Sequence, residues 1–217
     1  MIWEHRTIGD VLSIIQNGVN CKQNKNFHGN KITRIETISE SRINYSKTGF
    51  AVLDEKQKIK AELKKGDILF SHINSPSHVG KTAIYMGEEE LYHGINLLRL
   101  NTIKEVDNFY FNYFLRYLFW DGYWNRNSKQ SINQASVNQE DIKSVPFSFP
   151  ILSEQKRIVT KLDSIFNEID KSQKIKTLKL ISLKNLEDKI ICDVFKDYSN
   201  MVSISEVTDK TKTINIK

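Results

Sequence analysis

The segment from residue 153 to residue 195 constrains the fold most, because its apolar residues repeat at helical spacing. Counting in steps of four and three residues gives two apolar seams that flank a polar middle. The seam residues are Ile158, Leu162, Ile165, Ile169, Leu183, Leu186 and Ile190, and the polar middle is Ser172, Lys176 and Lys179. The spacing predicts one helix of about 65 Å, with Ser153 as its N-cap directly after Pro150.

A helix of this length cannot bury both seams under a globular domain of its own chain. We therefore expect it to extend and to pair with another long helix. The alternative that the pattern leaves open is a helix lying across its own domain.

Residues 1 to 150 alternate short apolar runs with turn residues, which predicts a mixed α/β globular domain. Strands are predicted over residues 30–38, 66–73, 81–87 and 94–101. The chain as a whole is therefore predicted to be α+β, a mixed globular domain followed by a long helix.

Two helices are predicted within this domain. A short amphipathic helix is expected in residues 6–18, closed by Gly18. A second helix is expected in residues 107–124, with Asp107 as N-cap. Its stripe of Tyr110, Phe114, Tyr117 and Leu118 is predicted to pack into the core.

Composition excludes some classes of protein. The net charge of +6 suits a polyanionic partner, although AT-rich coding explains the same excess of lysine. Cys21 and Cys192 match neither a disulfide framework nor a zinc spacing. No apolar run reaches the roughly 18 residues of a membrane helix, and the first residues lack a signal peptide's apolar stretch. We expect a cytoplasmic protein with no membrane contact.

The segment SPSHVGKT, residues 75–82, superficially matches a phosphate-binding loop. A P-loop needs glycine where Ser75 stands and a helix directly after the Gly-Lys-Thr triplet. The following residues are strand-like instead, so a hairpin loop is favoured. A nucleotide-binding enzyme using Gly80, Lys81 and Thr82 remains the alternative.

Other catalytic patterns are missing from the sequence. His72, His78 and His93 match no standard metal spacing, so no metal site is predicted. There is no Gly-x-Ser-x-Gly elbow, no Asn-Pro-Pro-Tyr-like tetrapeptide, no glycine-rich fingerprint and no nuclease-like carboxylate cluster. We therefore predict that the chain is not an enzyme.

Two acid-free segments, residues 18–34 and 125–139, combine cations with many amide side chains. Lysine and arginine neutralise phosphates, and asparagine and glutamine pair with adenine edges. Solvated loops in an asparagine-rich chain are the alternative. The candidate DNA contacts, including four from the loop before Thr82, are Lys22, Asn24, Lys25, Asn26, His28, Arg34, Asn74, Ser75, His78, Lys81, Arg126, Asn127, Lys129, Gln130 and Asn133.

The chain also resembles a known family. PFSFPILSEQKRIVTKLDSIFNEID, residues 146–170, resembles the junction before the spacer helix in specificity (S) subunits of type I restriction–modification systems. LKKGDILFSHINSPSHVGKTAIYMG, residues 63–87, is similar to that family's strand, loop and Gly-Lys segment. The junction departs from the family at Phe149-Pro150, where two prolines are usual.

The resemblance implies a division of the chain and a set of partners. Residues 1–150 would be a target-recognition domain and residues 151–197 a conserved spacer and dimerisation helix. Residues 198–217 would be the start of a second repeat or a tail, because Ser203–Val207 echoes Thr7–Val11. A full S subunit has two such units whose helices pair as an antiparallel coiled coil.

The family therefore implies a half-size S subunit that reads one half of a bipartite target on double-stranded DNA, as a homodimer. Methyltransferase (M) subunits would dock on the helices and carry S-adenosylmethionine, and a restriction (R) subunit would cleave. This chain would bind no cofactor itself. A coiled-coil scaffold that does not bind DNA remains a further alternative.

Overall fold

The computed structural model describes residues 3–24 and 28–199, and for residues 192–199 only the helical backbone. Lys25, Asn26 and the predicted second repeat at Ser203–Val207 lie outside the described residues. The strands are β1 Glu4–Thr7, β2 Leu12–Asn17, β3 Asn30–Ile32, β4 Gly49–Ala51, β5 Ile68–Phe70, β6 Ile73–Asn74, β7 Thr82–Ile84, β8 Leu98–Thr102, β9 Lys129–Ser131, β10 Gln134–Ser136 and β11 Pro146–Phe149.

The helices alternate with these strands, as expected for a mixed fold. They are α1 Ile8–Val11, α2 Glu55–Ala61, α3 Asn108–Trp120, α4 Tyr123–Arg126, α5 Gln139–Lys143 and α6 Leu152–Ser199, with 3-10 turns at Ile35–Ile38 and Tyr45–Lys47. Among the described residues, none of the helices combines the length and apolarity that a membrane span requires.

The main sheet has four antiparallel strands in the order β2-β8-β5-β7. Buried side chains of this sheet and of α3 form the largest apolar cluster, which includes Phe70, Leu100, Phe111 and Trp124. The rings of Phe70 and Trp124 meet edge to face with centroids 5.0 Å apart, a favourable geometry for aromatic pairs. This cluster is the core of the globular part.

The ends of the globular part are held together by β1 and β11, which pair antiparallel with Glu4 opposite Phe149. Directly after β11, helix α6 begins at Leu152. At about 1.5 Å per residue it is roughly 72 Å long, so the predicted long helix is present. Backbone contacts divide the chain into two compact units, Met1–Lys161 and Leu162–Lys217, with the boundary inside α6.

The start of α6 is tied to the start of α3 by one fully buried side chain. Gln155 accepts a hydrogen bond from the Asp107 backbone N–H at 2.8 Å. Its amide nitrogen donates to the Glu105 carbonyl at 3.0 Å and to the Pro150 carbonyl at 2.8 Å. Since an unpaired buried amide is costly, this satisfied bridge fixes the first turn of α6 to the globular unit.

Several local predictions are wrong in instructive ways. Helix α1 stops after one turn, and residues 12–17 of the predicted helix form strand β2, because pairing with β8 overrides the helical spacing. Residues 30–38 form only the short strand β3 before turning into a 3-10 helix. Ser153 lies inside the first turn of α6, where the Ile151 carbonyl accepts from the Glu154 N–H at 3.0 Å.

The stripe predicted for α3 is confirmed at three of its four positions, since Leu118 is buried and Tyr110 and Phe114 pack against the core. Asp107 caps the helix as expected, accepting from the N–H groups of Phe109 and Tyr110. Tyr117, however, is 62% exposed, and the buried row runs through Phe111, Leu115 and Leu118. Aromatic residues surround this helix, so spacing alone does not determine which face is buried.

The predicted polar middle of α6 is also interrupted. Ile175 and Leu178 each stand one position before the lysines that the count selects, and both side chains are 55% exposed. One residue rotates a side chain by about 100° around a helix. The apolar stripe therefore continues through the middle on another side of the helix instead of stopping.

Candidate nucleic-acid interface

A three-stranded sheet in the order β6-β10-β9 brings two of the predicted segments side by side. Strand β10 pairs with β9 on one edge and with β6 on the other, which places Ala135 opposite Asn74. Strand β6 leads directly into the loop at residues 75–80. The hairpin of β9 and β10 therefore lies beside that loop.

Two neighbouring cavities bring the remaining predicted segment to the same loop. The smaller, about 230 Å³, is lined by Ile35, Glu36, Ile38, Ser39, Ser71, Asn74, Ser75, His78 and Lys81. The larger, about 600 Å³, is lined by Asn24, Arg34, Glu36, Ser39, Ser46, Lys47, Thr48 and Phe50. Both share Glu36 and Ser39, and we call the two cavities together the polar groove. It collects predicted contacts from residues 18–34 and from residues 74–81.

Lys81 is the most firmly held cation of the groove. Its Nζ donates to the Ser39 carbonyl at 2.7 Å and lies 5.8 Å from the centre of the Phe119 ring. Burial lowers the pKa of Lys81, and repulsion from Lys47 acts in the same direction against attraction from Glu40. A partly desolvated cation of this kind gains most from an anionic ligand such as a phosphate.

The Gly-Lys-Thr triplet has a structural explanation that excludes a P-loop. Strand β7 begins at Thr82 and pairs antiparallel with β5, so no helix N-terminus follows the lysine. Gly80 has a φ of +85°, and a Cβ there would lie 2.1 Å from a ring carbon of the buried Trp124. The glycine is thus required by backbone conformation and by packing.

His78 and the serines around it form the wall of the smaller cavity. The Nδ1 atom of His78 lies 2.9 Å from Ser75 Oγ and 2.8 Å from Ser77 Oγ. Burial lowers the pKa of His78, and the nearby Lys81 lowers it further. Both effects favour the neutral imidazole, which has one nitrogen able to donate and one able to accept.

Some predicted contacts are committed to the protein's own structure. Asn74 donates to Ser71 Oγ at 2.9 Å and accepts from the Ser75 N–H at 2.8 Å, which shapes the loop. Arg126 pairs with the Asp121 carboxylate at 2.5 Å. Asn127 donates to the Tyr123 carbonyl at 2.9 Å and so closes α4.

In the first predicted segment, the structure keeps two side chains at the surface and two in the groove. Lys22 and His28 are exposed. Asn24 donates from its side chain to the His28 carbonyl at 3.0 Å. The Nε atom of Arg34 lies 3.4 Å from Oε2 of Glu36, so this cation is paired inside the groove.

The hairpin of β9 and β10 carries three exposed predicted contacts. Lys129 and Gln130 are exposed, although Gln130 also donates to the Asn125 carbonyl at 3.0 Å. Asn133 has a φ of +60° in the two-residue turn, a conformation that asparagine tolerates well. Ile132 at the tip is 94% exposed.

The search for acid-free segments missed several groove residues. Glu36, Ser39, Ser46, Lys47 and Thr48 all line the groove. Glu36 was passed over because a search for phosphate-binding surfaces rejects acids. The polar run Ser46, Lys47 and Thr48 directly before Gly49 was a usable signal for those three residues.

Comparison with known proteins decides the family. The family model described as Type I restriction modification DNA specificity domain matches residues 2–180. The chain belongs to this family. A protein assigned as the type I restriction enzyme MjaX specificity subunit of Methanocaldococcus jannaschii is 44% identical over 176 residues, covering 78% of this chain and 41% of the relative. The EcoKI specificity subunit of Escherichia coli K12 is 24% identical over 194 residues, covering 86% and 41%.

Solved structures confirm the α+β fold of this specificity-domain chain. A chain from a type I R-M system superposes with a TM-score of 0.64 at 22% identity, covering 85% of this chain and 43% of that one. The HsdS subunit from Thermoanaerobacter tengcongensis gives 0.56 at 20% identity, covering 77% and 38%. The chain thus spans about two fifths of the length of the curated relatives it matches.

Proposed function

We propose that this specificity-domain chain recognises one half of a bipartite DNA target for a type I restriction–modification system and catalyses no reaction itself. The observation that carries the proposal is the convergence of cations and hydrogen-bonding side chains from three sequence segments at the polar groove and the adjoining hairpin. Cations supply sequence-independent affinity for phosphates, and polar side chains at base edges supply specificity.

We divide the roles by side-chain chemistry. Lys22, Lys81 and Lys129 suit phosphate contacts, with Arg126 and, outside the described residues, Lys25. Asn24, His28, Arg34, Ser75, His78, Gln130 and Asn133 suit contacts to bases, with Asn26 outside the described residues. Asn74 and Asn127 have structural roles instead: Asn74 shapes the loop at residues 75–80, and Asn127 closes α4.

The test of DNA recognition is a fluorescence-anisotropy titration of duplexes at several salt concentrations. Lys129→Ala should weaken binding to all sequences and reduce the slope of log K against log salt by about one. Lys104→Ala removes an equally exposed lysine outside the groove and the hairpin and should leave the slope unchanged. No binding of any duplex, with the methyltransferase subunit present as well, would favour a scaffold instead.

The exposed apolar residues of α6 support a homodimer. Large apolar side chains between 43% and 62% exposed occur from Ile165 to Ile191. Such a run of exposed isoleucine and leucine is typical of an interaction surface. We infer that two copies pair as an antiparallel coiled coil through Ile158, Leu162, Ile165, Ile169, Leu183, Leu186 and Ile190, and that methyltransferase subunits carrying S-adenosylmethionine dock on the pair, with the restriction subunit joining them.

Light scattering tests the dimer. The double variant Ile165→Asp/Leu186→Asp should be monomeric, because two charges would be buried in the apolar seam. The matched control Asn167→Asp/Asn185→Asp adds the same two charges about 180° around the helix from this seam and should remain dimeric. A wild-type chain that stays monomeric at high concentration would contradict the dimer without affecting DNA recognition.

A further inference from the structure

Glu36 occupies an unusual position for an acidic residue. It lines both cavities of the polar groove, and it is the single acid among the described residues that line them. Arg34, Lys47 and Lys81 line the same walls. A carboxylate in this place repels the phosphates that the cations attract, so it lowers the sequence-independent affinity for DNA.

The backbone holds this carboxylate firmly in place. Glu36 belongs to the 3-10 helix Ile35–Ile38, whose residues Thr37 and Ile38 are buried at 0% and 1% exposure. Thr37 Oγ1 accepts from the Arg34 N–H at 2.9 Å and donates to the Lys47 carbonyl at 3.1 Å. With these two neighbours anchored in the interior, the Glu36 side chain is presented to the groove and is 58% exposed.

One base pattern rewards a carboxylate at this point. Glutamate accepts a hydrogen bond from the N4 amino group of cytosine in the major groove. Adenine also offers an amino group, but its N7 acceptor beside it repels the second carboxylate oxygen. Arg34, 3.4 Å from Glu36, carries the donors that match guanine O6 and N7. Donors for guanine and an acceptor for cytosine therefore stand side by side.

We propose that Glu36 is a specificity-determining residue that selects cytosine at one position of the target. The inference rests on the proposed DNA-recognition function and adds to it the identity of one base and of the residue that recognises it. The carboxylate gives up general affinity and contributes discrimination between bases.

Glu36→Gln tests this directly, because the two side chains have the same shape and differ in charge and donors. A glutamine pairs with adenine N6 and N7, so the preferred base should change from cytosine towards adenine. Glu40→Gln is the matched control. Glu40 lies four residues further along the chain and pairs with Lys47 at 3.1 Å, but it lines neither cavity. Its substitution changes the net charge by the same amount as Glu36→Gln without changing the lining of the groove.

The experiment is a selection of randomised duplexes by the full chain, followed by sequencing, for the wild type and both variants. We expect cytosine at one position for the wild type and for Glu40→Gln. Glu36→Gln should lose that preference by about 5- to 150-fold at that position and keep the rest of the motif. Thermal melting of each variant confirms that it is folded.

Two results would overturn the inference while leaving DNA recognition intact. One is an unchanged motif in Glu36→Gln. The other is an equal, sequence-independent gain in affinity in both variants, which would make Glu36 an ordinary surface charge. A wild-type chain that enriches no motif would overturn the proposed function itself, and the inference with it.

Discussion

The globular unit buries its large apolar side chains, whereas the long helix exposes them. Within Met1–Lys161, residues such as Ile8, Phe70 and Phe111 are 0% exposed. Beyond Lys161, the isoleucines and leucines of α6 from Ile165 onwards are all about half exposed. Burial of apolar surface is the main favourable contribution to folding, so the first region gains it from its own chain.

The difference shows where each region's stability comes from. The globular unit should unfold as one cooperative body whose free energy of unfolding does not depend on protein concentration. Under the pairing that we propose, the exposed face of α6 gains its apolar burial from a second molecule, so its stability should depend on protein concentration. Substitutions in the two regions should therefore have unequal effects on unfolding.

The largest effect is expected for Gly80→Ala. The added methyl group would collide with the buried Trp124 ring, and alanine is also disfavoured at the positive φ of this residue. We expect a loss of about 3 to 5 kcal/mol in the free energy of unfolding of the globular unit. Gly87→Ala is the control, because φ is +79° there but the nearest atom is 3.5 Å away. Urea unfolding should show about 1 kcal/mol for it, and equal losses in the two variants would contradict the packing argument.

The next largest effect is expected near the start of α6, and a matched substitution tests the exposed part of the same helix. Gln155→Ala removes a buried side chain that makes one buried and two part-buried hydrogen bonds to backbone groups, and it should cost about 3 kcal/mol in the free energy of unfolding. Gln173→Ala makes the same substitution where the helix is exposed and should change it by less than about 0.5 kcal/mol. Comparable losses in urea unfolding would show that Gln155 does not anchor α6.

A pH effect should be confined to the globular unit. Burial lowers the pKa of His93 to about 4, despite its hydrogen bond to the Leu97 carbonyl at 2.9 Å. The unfolded chain binds this proton near pH 6.5, so stability is complete above that pH and is lost as pH falls towards about 4. Unfolding at pH 5 should cost about 2 kcal/mol less than at pH 7.5. His93→Gln should remove most of this difference, and a difference that persists would assign it to other groups.

The smallest effect is expected in the second region. Leu186→Ala, at a side chain 54% exposed, should change the free energy of unfolding of the globular unit by less than about 0.5 kcal/mol in dilute solution. Leu115→Ala makes the same change at a side chain that is 0% exposed and should cost at least about 2 kcal/mol. A large loss for Leu186→Ala would mean that the two regions do not unfold independently.

Local sequence signals predicted an element correctly where the residues that define it lie within or directly beside that element. The carboxylate of Asp107 predicted the start of α3, and the spacing of isoleucine and leucine predicted the long α6. Residues 12–17 could not be assigned in this way, because their strand exists through pairing with β8, which lies far along the chain. Tyr117 was misplaced because a helix with aromatic residues on every side has no unique buried face.

The candidate site shows the same difference between local signals, which the sequence reveals, and long-range contacts, which it does not. Sequence composition selected the segments that contribute to the groove, because cations and amides without acids are visible in one dimension. It could not show that Arg34 is paired with Glu36 or that Asn74 is occupied by its own loop, since these contacts depend on the folded geometry. Glu36, which lines both cavities, was missed because the selection of acid-free segments excludes carboxylates.

The pairing of β1 with β11 has a consequence for how such a protein can change. Glu4 lies opposite Phe149 and Thr7 opposite Pro146, so the chain enters and leaves the globular unit on two adjacent strands. The residues between these two strands therefore form one continuous insert whose two ends lie side by side. Loops between these strands can therefore lengthen, shorten or be replaced while the pairing of β1 with β11 and the Gln155 bridge stay as they are.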